Sequence, residues 1–297
     1  MKKFFGLILL CIWAPLAFAV SPYIMADKVN GGDIKTAMTQ VEKKLEGEGF
    51  TVVGRHLPKG LAPYYGVVIV TDKGLLDAIR SMGGATVVGA GIRVGVRSDG
   101  SVSYINPDYW YRAYFRKQFS TSESAVKAVS EKLKKALGAG KGFGGDEPAG
   151  DLANYRYMVG MEKFDSDKNE LKLYSSFDAA VKTIQDNLAK GVGTTAKAYE
   201  IIMADKKLAV FGVALNDPKT GEGWWVKKVG PDHIAAVPYE IYVVGNKAYA
   251  LYGRFRTALA WPQLGMGTFM SISDMPDATL ETLTTVAGGV YEKSSAF

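Results

Sequence analysis

The sequence predicts an α+β fold in which two tandem repeats each pack a small, mainly antiparallel sheet against helices. Two matching amphipathic helices, two matching β-hairpins and a glycine-rich segment between them support this prediction. We expect the first repeat over residues 20–137, a linker over 138–155 and the second repeat over 156–297.

One apolar stripe recurs with the same spacing in both halves of the chain. Apolar residues at steps of four, three and four lie on one face of a helix. The stripes are Ile34, Met38, Val41 and Leu45 in the first half, and Phe177, Val181, Ile184 and Leu188 in the second. Helix-length segments at 121–137 and 277–290 close the two predicted repeats.

The predicted strands also follow one order in both halves. A short apolar segment, 22–25 or 156–159, precedes each helix, and a β-rich run, 66–70 or 208–211, follows it. A hairpin comes next in each half. The hairpins join Ile92–Arg97 to Val102–Ile105 through Asp99-Gly100, and Tyr239–Val244 to Ala248–Tyr252 through Gly245-Asn246.

The glycine-rich segment from Gly138 to Gly150 separates the two predicted repeats. Such a composition favours turns and irregular backbone over helices and strands. We therefore predict a linker without regular structure here.

The N-terminal residues have the pattern of a secretory signal. Lys2 and Lys3 precede an apolar run from Phe4 to Trp13, and Ala17-Phe18-Ala19 resembles a cleavage site. We predict a signal peptide over residues 1–19 and a periplasmic location, with an extracellular one as the alternative. No later stretch approaches the roughly 20 apolar residues that a transmembrane helix needs.

Cysteine and charge content exclude several kinds of function. The single cysteine, Cys11, lies within the predicted signal, so the exported chain has no disulfide, thiolate metal site or cysteine nucleophile. Without Lys2 and Lys3 the chain carries 34 basic and 30 acidic residues. This small excess of positive charge does not favour nucleic-acid binding.

The hairpins resemble the bacterial domain of unknown function family 302. Ile92-Arg93-Val94-Gly95-Val96 and the segment from Val102 to the Asn106-Pro107 turn are similar to the family's strand pair. Val237-Pro238-Tyr239 resembles its proline-led strand, although Tyr252-Gly253-Arg254 replaces Asn-Pro in the second half. The resemblance covers roughly 34–118 and 177–260. It implies a compact α+β sandwich that pairs its sheets, and it implies no established activity.

Metal, cofactor and catalytic sets are not evident in the sequence. His56 and His233 occur one per half, and we expect both to be structural or surface histidines. Met266, Met270 and Met275 lie within ten residues, and copper(I) carriers use spaced methionines, but their apolar neighbours favour packing. We therefore predict no cofactor and no metal site.

The candidate ligand-binding residues are Arg254, Arg256, Trp261, Glu240, Tyr104 and Asn106. The two arginines, two apart on a predicted strand, would project to one side and hold an anion or a glycan beside tryptophans. The alternative is that they pair with Glu240 and Glu222 while Trp224, Trp225 and Trp261 close the core. An aromatic segment, Tyr109 to Arg116, follows the Asn-Pro turn and predicts a helix whose aromatic side chains pack on the sheet and either contact the second repeat or face a ligand.

Three functions fit these features. The leading prediction is a non-enzymatic envelope protein that binds a small ligand or a protein partner between the repeats. The second is an enzyme with a site at that interface, using Glu240, Arg254 or Tyr104 on a small anionic or glycan substrate. The third is an assembly role through self-association, such as a homodimer.

Overall fold

The computed structural model describes residues 18–292, and within them the fold is α+β. The predicted signal peptide lies almost wholly outside the described residues. The strands are β1 (Ala19–Val20), β2 (Tyr23–Met25), β3 (Thr51–His56), β4 (Tyr65–Thr71), β5 (Ile92–Arg97), β6 (Val102–Ile105), β7 (Gly142–Phe143), β8 (Glu147–Pro148), β9 (Glu170–Leu173), β10 (Thr195–Met203), β11 (Leu208–Leu215), β12 (Tyr239–Val244) and β13 (Lys247–Tyr249).

Nine α-helices occur within the described residues. They are α1 (Ile34–Gly47), α2 (Lys73–Met82), α3 (Pro107–Phe115), α4 (Phe119–Leu137), α5 (Phe177–Ala189), α6 (Glu222–Val229), α7 (Gly253–Ala260), α8 (Met266–Met270) and α9 (Met275–Val286). Two 3-10 segments, Gly84–Gly89 and Pro231–Ala236, precede β5 and β12. No helix in this part of the chain is long and apolar enough to cross a membrane.

The predicted amphipathic helices form with their expected apolar faces. Asp33 accepts a hydrogen bond from the Thr36 amide at the start of α1, and Ser176 accepts one from Ala179 at the start of α5. These side chains satisfy amides that have no partner within the helix. Ile34, Met38, Val41 and Leu45 are buried in α1, and Phe177, Ile184 and Leu188 in α5.

Eleven strands form one antiparallel sheet in the order β7-β2-β6-β5-β4-β3-β10-β11-β12-β13-β9. We call the strands from β7 to β3 the N-terminal half sheet and those from β10 to β9 the C-terminal half sheet. The halves join where β3 pairs with β10, with Gly54 opposite Tyr199. Both predicted hairpins are present, as β5–β6 and β12–β13, although β13 ends at Tyr249 and not at Tyr252.

The large sheet curls so that its two halves face each other. Arg93 on β5 contacts Glu240 on β12, although five strand spacings separate these strands along the sheet. In a flat sheet they would lie about 24 Å apart, at roughly 4.8 Å per spacing. The segment Gly84–Gly89 packs on β11 and β12, while Pro231–Ala236 packs on β4 and β5. We call this region of facing side chains the seam.

The chain before α5 departs from the pattern before α1, and one local prediction was wrong. The apolar segment 156–159 forms no strand, and β9 at Glu170–Leu173 precedes α5. Val159 is 91% exposed, so its apolar character reflects no burial in a sheet. The glycine-rich segment, contrary to the prediction, contains regular structure, because β7 pairs with β2 and β8 pairs with β1.

Candidate functional site

Three charged residues meet at the seam, and two of them, of opposite charge, come from equivalent strands of the two hairpins. Arg93 is the second residue of β5, Glu240 is the second residue of β12, and Arg256 lies on α7. Their exposed fractions are 0%, 3% and 1%. Charged side chains are rarely buried this deeply unless they are paired, so the three form one ionic unit.

Glu240 accepts a hydrogen bond from each arginine. Arg93 Nη1 donates to Glu240 Oε1, and Arg256 Nε lies 3.4 Å from Glu240 Oε2. Each guanidinium also donates to a main-chain carbonyl, Arg93 Nε to Ala235 at 2.9 Å and Arg256 Nη2 to Ala236 at 2.8 Å. The loop before β12 therefore helps to fix both arginines.

Aromatic rings surround the two guanidinium groups. The ring centre of Trp110 on α3 lies 4.9 Å from the Arg93 guanidinium carbon and 4.8 Å from that of Arg256. The ring centre of Tyr239 also lies 4.8 Å from the Arg256 guanidinium carbon. Such faces attract cations and exclude water, which strengthens the electrostatic interactions inside.

Tyr114 on α3 and Tyr199 on β10 complete the group that we call the seam cluster, which comprises Arg93, Glu240, Arg256, Tyr114 and Tyr199. Burial raises the pKa of both tyrosines, so both stay protonated. Burial alone would lower the pKa of Arg93, but the negative charge of Glu240 raises it above its ordinary value. Two guanidinium groups therefore face a single carboxyl group.

A groove of about 900 Å³ opens at the seam on one side of this cluster. The N-terminal half contributes residues 82–86 and 114–118, and the C-terminal half contributes residues 164–167, 169 and 170. Tyr242, Val244 and Tyr249 of β12 and β13 form another wall. We call this cavity the seam groove.

The seam groove combines aromatic and polar surfaces. Tyr242 and Tyr249 stack with ring centres 5.4 Å apart and planes 18° apart. Arg116 crosses the seam, with its Nη1 3.0 Å from an Asp165 carboxylate oxygen and its guanidinium over the ring of Phe164. The groove can therefore offer both a ring face and hydrogen-bonding groups to a ligand.

Comparisons with known protein families and with curated proteins found no match to this chain. We therefore infer the role of the seam from its own geometry.

The sequence-predicted ligand residues do not gather into one site. Arg254 and Arg256 lie on α7 and not on a strand, so the prediction that they project to one side was wrong. A helix turns about 100° per residue, so residues two apart point to different sides. Arg256 pairs with Glu240, as the alternative held, whereas Arg254 donates to Glu162 at 2.7 Å and not to Glu222.

The other three candidates have structural contacts in different places. Trp261 is buried against Trp225, with ring centres 5.2 Å apart. Tyr104 donates to the Gly138 carbonyl at 3.0 Å, and the Asn106 amide donates to the Ser21 carbonyl at 2.8 Å. Asn106 also caps α3, which is the predicted aromatic helix.

The histidines and methionines are also separate. His56 is buried with its Nε2 2.5 Å from Glu222 Oε2, which links the end of β3 to the start of α6. His233 is half-buried among aromatic rings, and burial lowers its pKa. Met275 is buried, whereas Met266 and Met270 are 63% and 61% exposed. In residues 18–292, no three His, Cys, Asp or Glu side chains cluster as metal ligands would.

Sequence reasoning missed Arg93, Tyr114 and Tyr199. One signal was available, because Arg93 and Glu240 interrupt apolar strands at the same position of the two hairpins. Opposite charges at equivalent buried positions indicate a pair across an interface between the halves. Nothing comparable distinguishes Tyr114 from the other aromatic residues of α3.

Proposed function

We propose that this protein is exported to the bacterial envelope, to the periplasm or beyond the cell, where it binds a small ligand in the seam groove without transforming it. The N-terminal signal pattern supports export. N-terminal sequencing of the exported protein should begin at Val20, and a retained Met1 would contradict export.

We further propose that the chain is a duplication of one domain of the family 302 type. The strand order supports this, because β2-β6-β5-β4-β3 is followed by β10-β11-β12-β13-β9. In the first series, β2 precedes α1 and β3 lies at the centre of the sheet. In the second series, β9 precedes α5 and β10 lies at the centre, so the two series run outward from the centre in opposite directions. A domain that pairs its sheets with a second copy would give this order when the two copies are fused.

The seam groove is the observation that carries the binding function. Its volume falls within the roughly 300–1,000 Å³ typical of small-molecule sites. Both halves line it, and such boundaries are common places for ligand sites. Its walls also contain side chains from elements that are far apart in sequence, such as α2, α3 and β13.

The lining favours a small polar molecule with a ring-shaped or flat apolar face, such as a sugar. Tyr249 is half-buried and stacks on Tyr242, so its ring is held in place for a ligand to pack on. Gln118 and Ser166 supply neutral donors and acceptors. Arg116 and Asp165 supply charged ones, already oriented by their mutual contact.

Native mass spectrometry of the protein purified from its export compartment tests this function. We expect a non-covalent mass that is lost on mild denaturation, and about tenfold or greater loss of that mass in Tyr249→Ala. Tyr64→Ala is the matched control, because Tyr64 is 64% exposed and lies outside the groove. A mass retained equally by both variants would contradict binding in this groove. No mass in any sample would contradict a small ligand and favour an envelope protein partner.

A further inference from the structure

Four hydrogen-bond donors of the seam cluster find no acceptor among the described residues. They are Arg93 Nη2, Arg256 Nη1 and the hydroxyl groups of Tyr114 and Tyr199. Each belongs to a side chain that is at most 2% exposed, so bulk water does not reach it. Buried polar groups are almost always paired, and four unpaired donors in one place need an explanation.

These donors belong to one neighbourhood. The two guanidinium groups meet at Glu240 and at the ring of Trp110. The Tyr114 hydroxyl lies beside Arg93, without the geometry of a good hydrogen bond. The Tyr199 ring packs on Gly212, which is the register partner of Glu240 in the neighbouring strand.

The charge of the cluster points to the same kind of ligand as its donors. Two guanidinium groups share a single carboxyl group, so the cluster carries at least one buried positive charge. An unpaired charge away from water is strongly unfavourable, and proteins neutralise it or pair it. A tyrosinate cannot supply the missing negative charge near neutral pH, because burial raises the pKa of Tyr114 and Tyr199.

We infer that the seam cluster binds one small monovalent anion, of the size of chloride, between Arg93, Arg256, Tyr114 and Tyr199. The anion accepts hydrogen bonds from the unpaired donors and balances the excess positive charge. A water molecule could accept from two of these donors, but it would leave the charge unpaired. The anion therefore fastens the two half sheets together, and this role does not depend on any ligand in the seam groove.

Halide dependence of stability tests the inference. We expect the Tm of the purified protein to rise by about 2–4 °C for each tenfold increase in chloride, at constant ionic strength with gluconate as the replacing anion. Arg256→Met removes the excess charge and should abolish this rise. Arg254→Met is the matched control on the same helix, because Arg254 is outside the cluster, and its Tm should keep the chloride dependence.

Two further measurements keep the test decisive if Arg256→Met folds poorly. Tyr114→Phe removes one donor without changing the charge, so it should weaken the chloride dependence without abolishing it. Crystals grown in bromide should show an anomalous peak beside Arg93 and Arg256. An equal Tm in chloride and gluconate, together with no bromide peak, would overturn the inference in favour of ordered water only.

Discussion

Replacing Glu240 by Gln should be among the most destabilising single changes in this protein. Glu240 is 3% exposed and is the only carboxylate that contacts Arg93 or Arg256 among the described residues. Glutamine keeps the shape but removes the negative charge and turns an N–H₂ group toward a guanidinium. Removing one partner of a buried ion pair costs about 3–5 kcal/mol, a large part of a typical total of about 5–15 kcal/mol.

Urea unfolding followed by tryptophan fluorescence measures this cost, because Trp110 and Trp225 are fully buried and report the loss of the core. The informative comparison is the triple variant Arg93→Met, Glu240→Leu, Arg256→Met. It removes all three charges together and should retain much more stability than Glu240→Gln alone. A Glu240→Gln protein within about 1 kcal/mol of the wild type would refute the assignment of a buried ionic unit at the seam.

Three other changes test the junction, an acid-sensitive ion pair and one strained residue. Gly54→Ala should cost about 1–3 kcal/mol in urea unfolding, because its Cβ would lie 2.3 Å from the Ala198 carbonyl oxygen where β3 meets β10. Glu162→Gln should be destabilising at neutral pH but not at pH 2. Burial raises the pKa of Glu162, but hydrogen bonds from Arg254 and others outweigh this and lower it to about 2, so its contribution is lost as pH falls from 4.5. Arg116→Gly should be more stable than Arg116→Ala, since φ 52° and ψ −124° suit glycine.

Each of these changes has its own control. Gly47→Ala, in α1 with no atom near the added Cβ, should be neutral or stabilising, and an equal loss in both glycine variants would contradict the steric argument. If the free energies of unfolding of Glu162→Gln and of the wild type differ by a constant amount between pH 5 and 2, the result would be inconsistent with a lowered pKa of Glu162. Alanine usually gives a more stable protein than glycine, because glycine loses more conformational entropy on folding. An Arg116→Ala protein more stable than Arg116→Gly would therefore rule out backbone strain at this residue.

The helices and hairpins that the sequence predicted could be recognised because their signals are local. The stripe from Ile34 to Leu45 defines α1 through spacing alone, and the turn at Asp99-Gly100 defines the first hairpin. The α+β class follows from the same signals. The segment 156–159 shows the limit of such signals, because short apolar runs carry no periodicity and burial must be known before a strand can be recognised.

The sequence by itself determined the α+β class, the buried stripes of α1 and α5, the turns of the two hairpins, and the pattern of a secretory signal. Only the tertiary structure decided that Arg93 meets Glu240, 147 residues away, and that Arg254 turns away from Arg256. The physical reason is that periodicity reports which face of an element is buried, but not what covers it. The contacts that build the seam cluster and the seam groove depend on the curl of one sheet through the β3–β10 junction, which no local pattern encodes.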